Sequence, residues 1–214
     1  MNNDWLYKLI RVLFSPMVRV LWIRDVSGLE NIPSSGPAIL ASNHDSNLDS
    51  LMLMAVVKRQ IFFLAGEKLF KKWWLGPILK ATGQIFVDRQ AKDKSESVRQ
   101  AIEVLKQGKM FGIYPEGTRS ATGKLQQAYS GVAKVALGGR ASVIPVGMIG
   151  TFEIMSRYDK RPKFKKCRIK IGKPIDLSKY YSQGEDKELL HRITDEIIMP
   201  EIAKLTGENW PPQS

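Results

Sequence analysis

One cysteine, Cys167, and two histidines, His44 and His191, are all that the chain carries of those two residue types. A single thiol cannot form a disulfide within the chain. Two separated histidines give no ligand spacing of a metal site, so no metal is expected. Acidic residues are also few: 21 Asp and Glu stand against 33 Lys and Arg, a formal net charge of +12. Such an excess points to anionic partners, whether nucleic acid, anionic lipid or phosphorylated substrates. Internal repeats and low-complexity tracts are missing. What remains is 214 residues, 43% hydrophobic and 25% charged, which fits one globular domain with a real core and argues against wholesale disorder.

The positive charge is uneven. Arg157, Lys160, Arg161, Lys163, Lys165, Lys166, Arg168, Lys170 and Lys173 fall in one stretch. It reads either as a solvated surface run or as a patch facing anionic headgroups or the phosphates of a large ligand. A second small group, Lys71, Lys72, Trp73 and Trp74, sets cations beside aromatics, as interfacial contacts do.

From Trp5 to Ile23 the chain is mostly apolar, and its polar positions, Lys8, Arg11, Ser15 and Arg19 after Asp4, recur every three or four residues. That spacing predicts an amphipathic helix with one narrow polar stripe. Pro16 is expected to break or kink it. Cations inside the apolar run and the lack of a small-residue cleavage site argue against a secretory signal. The same cations and the proline argue against a spanning helix. Two readings stay open: an anchor lying in the membrane plane, or a helix packed on the domain's own core.

Beyond residue 24 apolar runs and helical patterns alternate. Strands are expected at 38–42, 60–65, 84–87, 110–114, 142–148 and 166–171. Helices are expected at 46–57, 68–80, from an N-cap at Asp93 to Gln107, at 128–137 and at 187–205. The predicted fold is therefore α/β: a single domain, a largely parallel sheet flanked by helices, preceded by the amphipathic helix. The expected limits are 1–24 for the N-terminal anchor, 25–208 for the domain and 209–214 for a loose tail.

The chemistry gathers after the strands. Asn43-His44-Asp45-Ser46-Asn47-Leu48-Asp49 follows a buried strand and enters a helix. Asp49 in the first turn can fold back on the imidazole, fix its tautomer and leave the other ring nitrogen to take a proton. Ser42 and Ser46 are too close in sequence to complete a triad, so the dyad is expected to activate a hydroxyl of the substrate. Tyr114-Pro115-Glu116-Gly117-Thr118-Arg119-Ser120 combines a close-approach glycine with an arginine able to hold phosphate through two hydrogen bonds. Taken alone it is also a plain Pro/Gly turn. Gly83-Gln84-Ile85-Phe86-Val87-Asp88-Arg89 puts another arginine at a strand end, and Pro145 falls inside a predicted strand, which implies an edge or a bulge.

These four blocks, in this order, resemble the glycerolipid acyltransferase family that includes the bacterial 1-acylglycerol-3-phosphate acyltransferases. The likeness rests on Asn43, His44 and Asp49; on Gly83, Phe86 and Arg89; on Tyr114 to Ser120; and on Ile144 with Pro145. Gly28 to Pro33 adds to it, and it covers roughly residues 26–150. The resemblance implies that His44 is the catalytic base and Asp49 its partner. It further implies that Arg89, Glu116, Gly117, Thr118 and Arg119 shape the acceptor site, with Lys68 near the phosphate and Asn43, Gly83 and Pro115 in support. It implies transfer of a fatty acyl group from an acyl-CoA or acyl carrier protein thioester to a lysophospholipid such as lysophosphatidic acid. No cofactor is expected, and no nucleic acid. The enzyme is expected on the cytoplasmic face of the cell membrane, held by its N-terminal helices. Relatives often carry a lysine shortly before the glycine that opens the next helix; here the segment reads Ala128-Tyr129-Ser130-Gly131, which leaves other acceptors open. Leu51 to Val57 fits either an acyl tunnel or core packing.

Overall fold

The structure, a computed structural model, describes residues 4–73, 76–87, 95–184 and 186–212. Helix α1 (Asp4–Trp22) leads into β1 (Ile23–Ser27). There follow β2 (Ala38–Ser42), α2 (Asp49–Val56), β3 (Ile61–Gly66), α3 (Glu67–Phe70), α4 (Gly76–Ala81) and β4 (Ile85–Val87). The second half contains α5 (Ser95–Lys106), β5 (Met110–Ile113), α6 (Gly131–Gly139), β6 (Ser142–Ile149), α7 (Thr151–Met155) and β7 (Cys167–Ile171). It closes with α8 (Lys187–Arg192) and α9 (Met199–Thr206), joined by a π-type segment over Ile193–Ile198.

Among the described residues the strands make one sheet in the order β1-β7-β6-β2-β5-β3-β4. Every neighbouring pair is parallel except β6 with β7. This is the predicted α/β fold with a largely parallel sheet. The central strand β2 is buried at all five positions, as a parallel strand covered on both faces must be. One face packs Ile39, Phe62, Phe111 and Val143 under α5, α6, α8 and α9. The other packs Leu40, Ile61, Phe63 and Ile144 under α1 and α2. Met52, Leu53, Ala55, Val56 and Val57 belong to this second cluster, so most of the candidate tunnel segment is core.

Several expectations are corrected. Pro16 does not divide α1, which runs unbroken for 19 residues. The helix expected over 187–205 is instead α8, a π-type turn and α9. Pro200 explains this: it has no N–H to donate, and its ring would crowd the carbonyl four residues back, so the preceding turn widens. The helix expected over 68–80 is two short pieces, α3 and α4. Strand β1 and helix α7 were not anticipated; Ile23–Ser27 has three charged or polar residues in five and little apolar pattern. The tail expected to be loose is held at Trp210, whose indole N–H donates to the Asp195 carbonyl at 2.7 Å. Asp93 and Trp74 lie outside the described residues.

Pro145 sits inside β6, a central strand, and the register explains how. Between the Val146–Ile171 pair and the Val143–Ile175 bridge, three steps on β6 face four on the other strand. Pro145 occupies this bulge, and its carbonyl accepts from Gly172 N–H at 2.9 Å.

Candidate active site

Parallel pairing brings the candidate residues together. Ala41 on β2 is in register with Ile113 on β5, so His44 and Tyr114 emerge side by side at the carboxyl ends of adjacent strands. Strand β3 lies against β5 and β4 against β3, which carries Lys68 and the end of the Gly83–Val87 block to the same edge of the sheet. Lys68 lies in α3, directly after β3. Arg89 lies outside the described residues. Carboxyl ends of strands in such sheets are where ligands bind.

The His44 Nδ1 atom is 2.9 Å from Asp49 Oδ2. Asp49 is wholly buried at the start of α2. The same Oδ2 accepts the backbone N–H groups of Asp45 and Ser46 at 2.9 and 2.8 Å. An acceptor so engaged places the imidazole proton on Nδ1 and leaves the lone pair on Nε2. The histidine side chain keeps 13% of its surface accessible, enough for a ligand to touch.

Three further contacts hold the ring and its backbone. Tyr114 stacks on His44 with centroids 3.9 Å apart and planes 12° from parallel. Behind it Phe63 lies 5.9 Å from the Tyr114 ring at 13°. Gly112 makes this column possible, because a Cβ there would collide with the Phe63 ring. The Tyr114 hydroxyl shares a 2.8 Å hydrogen bond with Ser50 Oγ. Burial first and the Asp49 charge second hold that phenol well above its usual pKa. The other two contacts come from the rest of the Tyr114–Ser120 loop: His44 N–H donates to Glu116 Oε1 at 2.9 Å, and Ser120 N–H donates to the His44 carbonyl at 2.7 Å. Both backbone groups of His44 are thus fixed by one loop.

Glu116 is 1% exposed. Its other oxygen accepts from Gln126 N–H and Nε2 at 3.0 and 3.2 Å. It lies behind the loop, tied to protein donors, while Gly117 and Thr118 are exposed and Arg119 is partly so. Gly117 has φ +67°, a conformation that glycine adopts at little cost, and Tyr129 crosses over it. The Pro115 carbonyl accepts from Tyr129 N–H at 2.9 Å. Asn43 is buried and clamps β6, exchanging hydrogen bonds with the Met148 backbone at 2.9 and 2.8 Å. Gly83 takes φ +71° in the turn before β4. The structure therefore gathers Asn43, His44, Asp49, Pro115, Glu116, Gly117, Thr118 and Arg119. In the sequence Tyr114 and Tyr129 stand only as members of their segments, and Ser50 and Gln126 carry no signal; the roles of all four depend on contacts between distant segments that no local pattern records.

Two buried carboxylates are displaced from their ordinary range. Burial raises Asp45 to about 8, with Asp49, Glu116 and Glu208 adding to the shift. Burial raises Glu116 to about 7, against the pull of its three donors. Neither flanking serine is a free nucleophile. Ser42 and Ser46 are fully buried; Ser42 Oγ donates to the Asn43 carbonyl, and Ser46 Oγ accepts from Leu48 N–H. Cys167 is buried on the core side, where burial raises its thiol to about 12. Among the described residues no group of His, Cys, Asp and Glu is arranged to hold a metal ion.

The model of the acyltransferase family matches residues 23–149, more than half of the chain. The chain belongs to the acyltransferase family. The 1-acyl-sn-glycerol-3-phosphate acyltransferase of Borreliella burgdorferi is 28% identical over 183 residues, covering 83% of this chain and 73% of that protein. The Bacillus subtilis enzyme of the same name is 29% identical, covering 78% of this chain and 80% of its own length. Among solved structures, the 1-acyl-sn-glycerophosphate (LPA) acyltransferase PlsC of Thermotoga maritima superimposes with a TM-score of 0.76 at 26% identity. That match covers 96% of this chain and 81% of the Thermotoga protein. This acyltransferase thus shares fold and enzyme class with these relatives, and its family match spans β1 to β6.

Proposed function

We propose that this O-acyltransferase makes phosphatidic acid, transferring a fatty acyl group from a thioester to the free hydroxyl of lysophosphatidic acid. The observation that carries the reading is the His44–Asp49 pair at 2.9 Å, with Asp49 buried and oriented by two backbone donors. His44 Nε2 takes the proton of the acceptor hydroxyl as its oxygen attacks the thioester carbonyl. The tetrahedral intermediate collapses, the C–S bond breaks, and the imidazolium returns the proton to the departing thiolate. Asp49 stabilises the imidazolium in between. The buried serines and cysteine support direct transfer without an acyl-enzyme. Arg119, with Gly117 and Thr118 beside it, faces the acceptor phosphate, and Arg89 and Lys68 are assigned to the same group. Glu116 acts as a positioning residue that holds His44 through its backbone. The donor is coenzyme A or acyl carrier protein.

Helix α1 anchors the enzyme in the plane of the membrane, on its cytoplasmic face. No helix among the described residues is long and apolar enough to cross a bilayer. The disposition of α1 supports an in-plane anchor. Its buried side carries Tyr7, Ser15, Val18 and Trp22, and Arg19 donates to the carbonyls of Ala55 and Val56. Trp5, Leu9, Val12, Leu13, Phe14, Met17 and Val20 point outward, each at least 46% exposed. Helix α1 thus packs on the domain through one narrow side, which includes Ser15 and the Arg19 hydrogen bonds, and leaves most of its apolar circumference facing outward. An apolar patch of this kind marks an interaction surface.

The test is product analysis. Purified protein is incubated with a mixture of lysolipids and glycerol 3-phosphate, with each donor in turn, and the products are identified by mass. Phosphatidic acid with release of one thiol per acyl group transferred is expected. Acylation of a different acceptor, with lysophosphatidic acid untouched, would remove the acceptor assignment and keep the chemistry. Tyr129, standing over Gly117 where relatives often have a lysine nearby, is the residue that favours testing other acceptors.

A further inference from the structure

Between α7 and β7 runs an eleven-residue loop, Ser156 to Lys166, with six cations and one carboxylate. From Lys160 to Lys166 every residue is exposed. So are Arg157 and Tyr158. A mere solvated run has no use for large aromatics at its tips, yet Tyr158 is 70% exposed and Phe164 is 85% exposed. The loop is also built, not slack. Asp159 accepts from Ser156 N–H and Oγ at 2.9 and 2.7 Å and pairs with Lys163 at 2.9 Å. Lys163 N–H donates to the Ile154 carbonyl at 2.8 Å. The one negative charge is thus neutralised within the loop, and Lys160, Arg161 and Lys165 remain exposed.

Two contacts fix where the loop stands. Trp22 Nε1 donates to the Lys163 carbonyl at 3.2 Å, and Lys166 Nζ donates to the Val20 carbonyl at 2.8 Å. Both partners are in the last turn of α1, where Val20 is 70% exposed at the end of the outward apolar face. On the opposite side Arg157 reaches the Arg119 carbonyl at 3.4 Å. The loop therefore lies between the outward face of α1 and the Tyr114–Ser120 segment of the active site.

We propose that the Ser156–Lys166 loop is a second bilayer contact that recognises anionic phospholipid headgroups, with Tyr158 and Phe164 entering the interface and Lys160, Arg161 and Lys165 facing lipid phosphates. The charge is complementary to an anionic leaflet. The aromatics beside it suit the headgroup layer. Continuity with α1 favours a lipid surface over an acidic protein partner, which would need the cations alone. The proposal rests on the reading of α1 as an in-plane anchor, and adds to it a headgroup preference and an orientation that turns Arg119 toward the lipid.

The test uses the full chain and two sets of vesicles, pure phosphatidylcholine and phosphatidylcholine with a third phosphatidylglycerol. The triple variant Lys160→Gln, Arg161→Gln, Lys165→Gln should lose at least about tenfold in affinity for the anionic vesicles, since each surface cation contributes several-fold. Its weak binding to neutral vesicles should not change, and rising salt should erase the difference from the parent. Tyr158→Ser with Phe164→Ser should weaken binding to both. Serine substitutions at Leu13 and Phe14 report on α1 separately. If those abolish binding and the loop variants bind anionic vesicles like the parent, the loop proposal is overturned and the anchor stands. If the α1 variants bind normally, the anchor reading fails. If the triple variant binds vesicles normally and loses turnover only with acyl carrier protein as donor, the cations serve that acidic protein and the proposal is wrong. All these positions are exposed, so unchanged melting curves should accompany each variant.

Discussion

At the scale of single residues, the imidazole of His44 is restrained on every side but one. Asp49 takes Nδ1, Tyr114 covers a face, and Glu116 and Ser120 hold the backbone. Removing the ring should cost far more than loosening it. His44→Ala is expected to lower turnover about 10²- to 10⁴-fold in a variant that still folds, as circular dichroism will check. Turnover kept within a few-fold in the alanine variant, with chemistry shown to limit the rate, would remove His44 as the base. Tyr114 separates orientation from chemistry. Tyr114→Phe keeps the stack on His44 and loses the Ser50 hydrogen bond; Tyr114→Leu loses both. If stacking positions the base, the leucine variant should lose roughly tenfold or more in kcat with KM little changed, and the phenylalanine variant should stay within a few-fold. Equal losses in the two would place the importance in the hydroxyl instead.

At the scale of elements, the packing of α1 decides which variant can test membrane attachment. Cutting off the first 24 residues would remove Tyr7, Val18 and Trp22, all buried, and would confound detachment with unfolding. Substituting the outward residues avoids this. Val12, Leu13 and Phe14 are each at least 50% exposed, so serine at all three should leave the melting temperature nearly unchanged and release the enzyme from sedimenting vesicles. A triple variant that still sediments with them would remove α1 as the anchor. The polar stripe was legible in the sequence because it recurs at helical spacing; its direction was not. Arg19 could be seen to share a face with Arg11 and Ser15. That this face would meet the carbonyls at the end of α2 depends on how two distant segments pack. Strands β2, β3, β5 and β6 were legible for a related reason: buried parallel strands are continuous apolar runs. Strand β1 was not, because it lies at the edge of the sheet with the pattern Ile-Arg-Asp-Val-Ser. The His44–Asp49 pairing was readable from spacing, since both partners lie in one turn. The column of Phe63, Tyr114 and His44 was not, because it takes one residue from β3 and one from just beyond each of β5 and β2.

At the scale of the molecule, the site has a cost that shows in stability. Asp45 is buried near Asp49 and Glu116, and burial raises Asp45 and Glu116 to about 8 and about 7 from ordinary values of 3.8 and 4.5. A carboxyl raised in the folded state binds its proton more tightly there than in the unfolded chain. Its contribution is fully present below the unfolded value and is lost as pH rises through the folded one. The sign is therefore opposite to that of a salt-bridged carboxylate: these two groups favour the folded state below about pH 4 and withdraw that support between about pH 4 and pH 8. Asp45→Asn should remove much of this dependence. Asn keeps an oxygen for the Asn43 amide that now donates to Asp45 Oδ2 at 2.9 Å, and carries no charge to bury. The variant should melt close to the parent at pH 4 and several degrees above it at pH 8.5, where a gain of about 1 kcal/mol corresponds to roughly 2–4 °C for a chain of this size. Melting followed by circular dichroism at both pH values decides it. An unchanged gap between the two would mean that Asp45 does not carry the buried charge. Glu116→Gln should show the same sign with a smaller span, offset by the weaker hydrogen bond it offers to His44 N–H, so the two substitutions separate the cost of burying charge from the benefit of positioning the base.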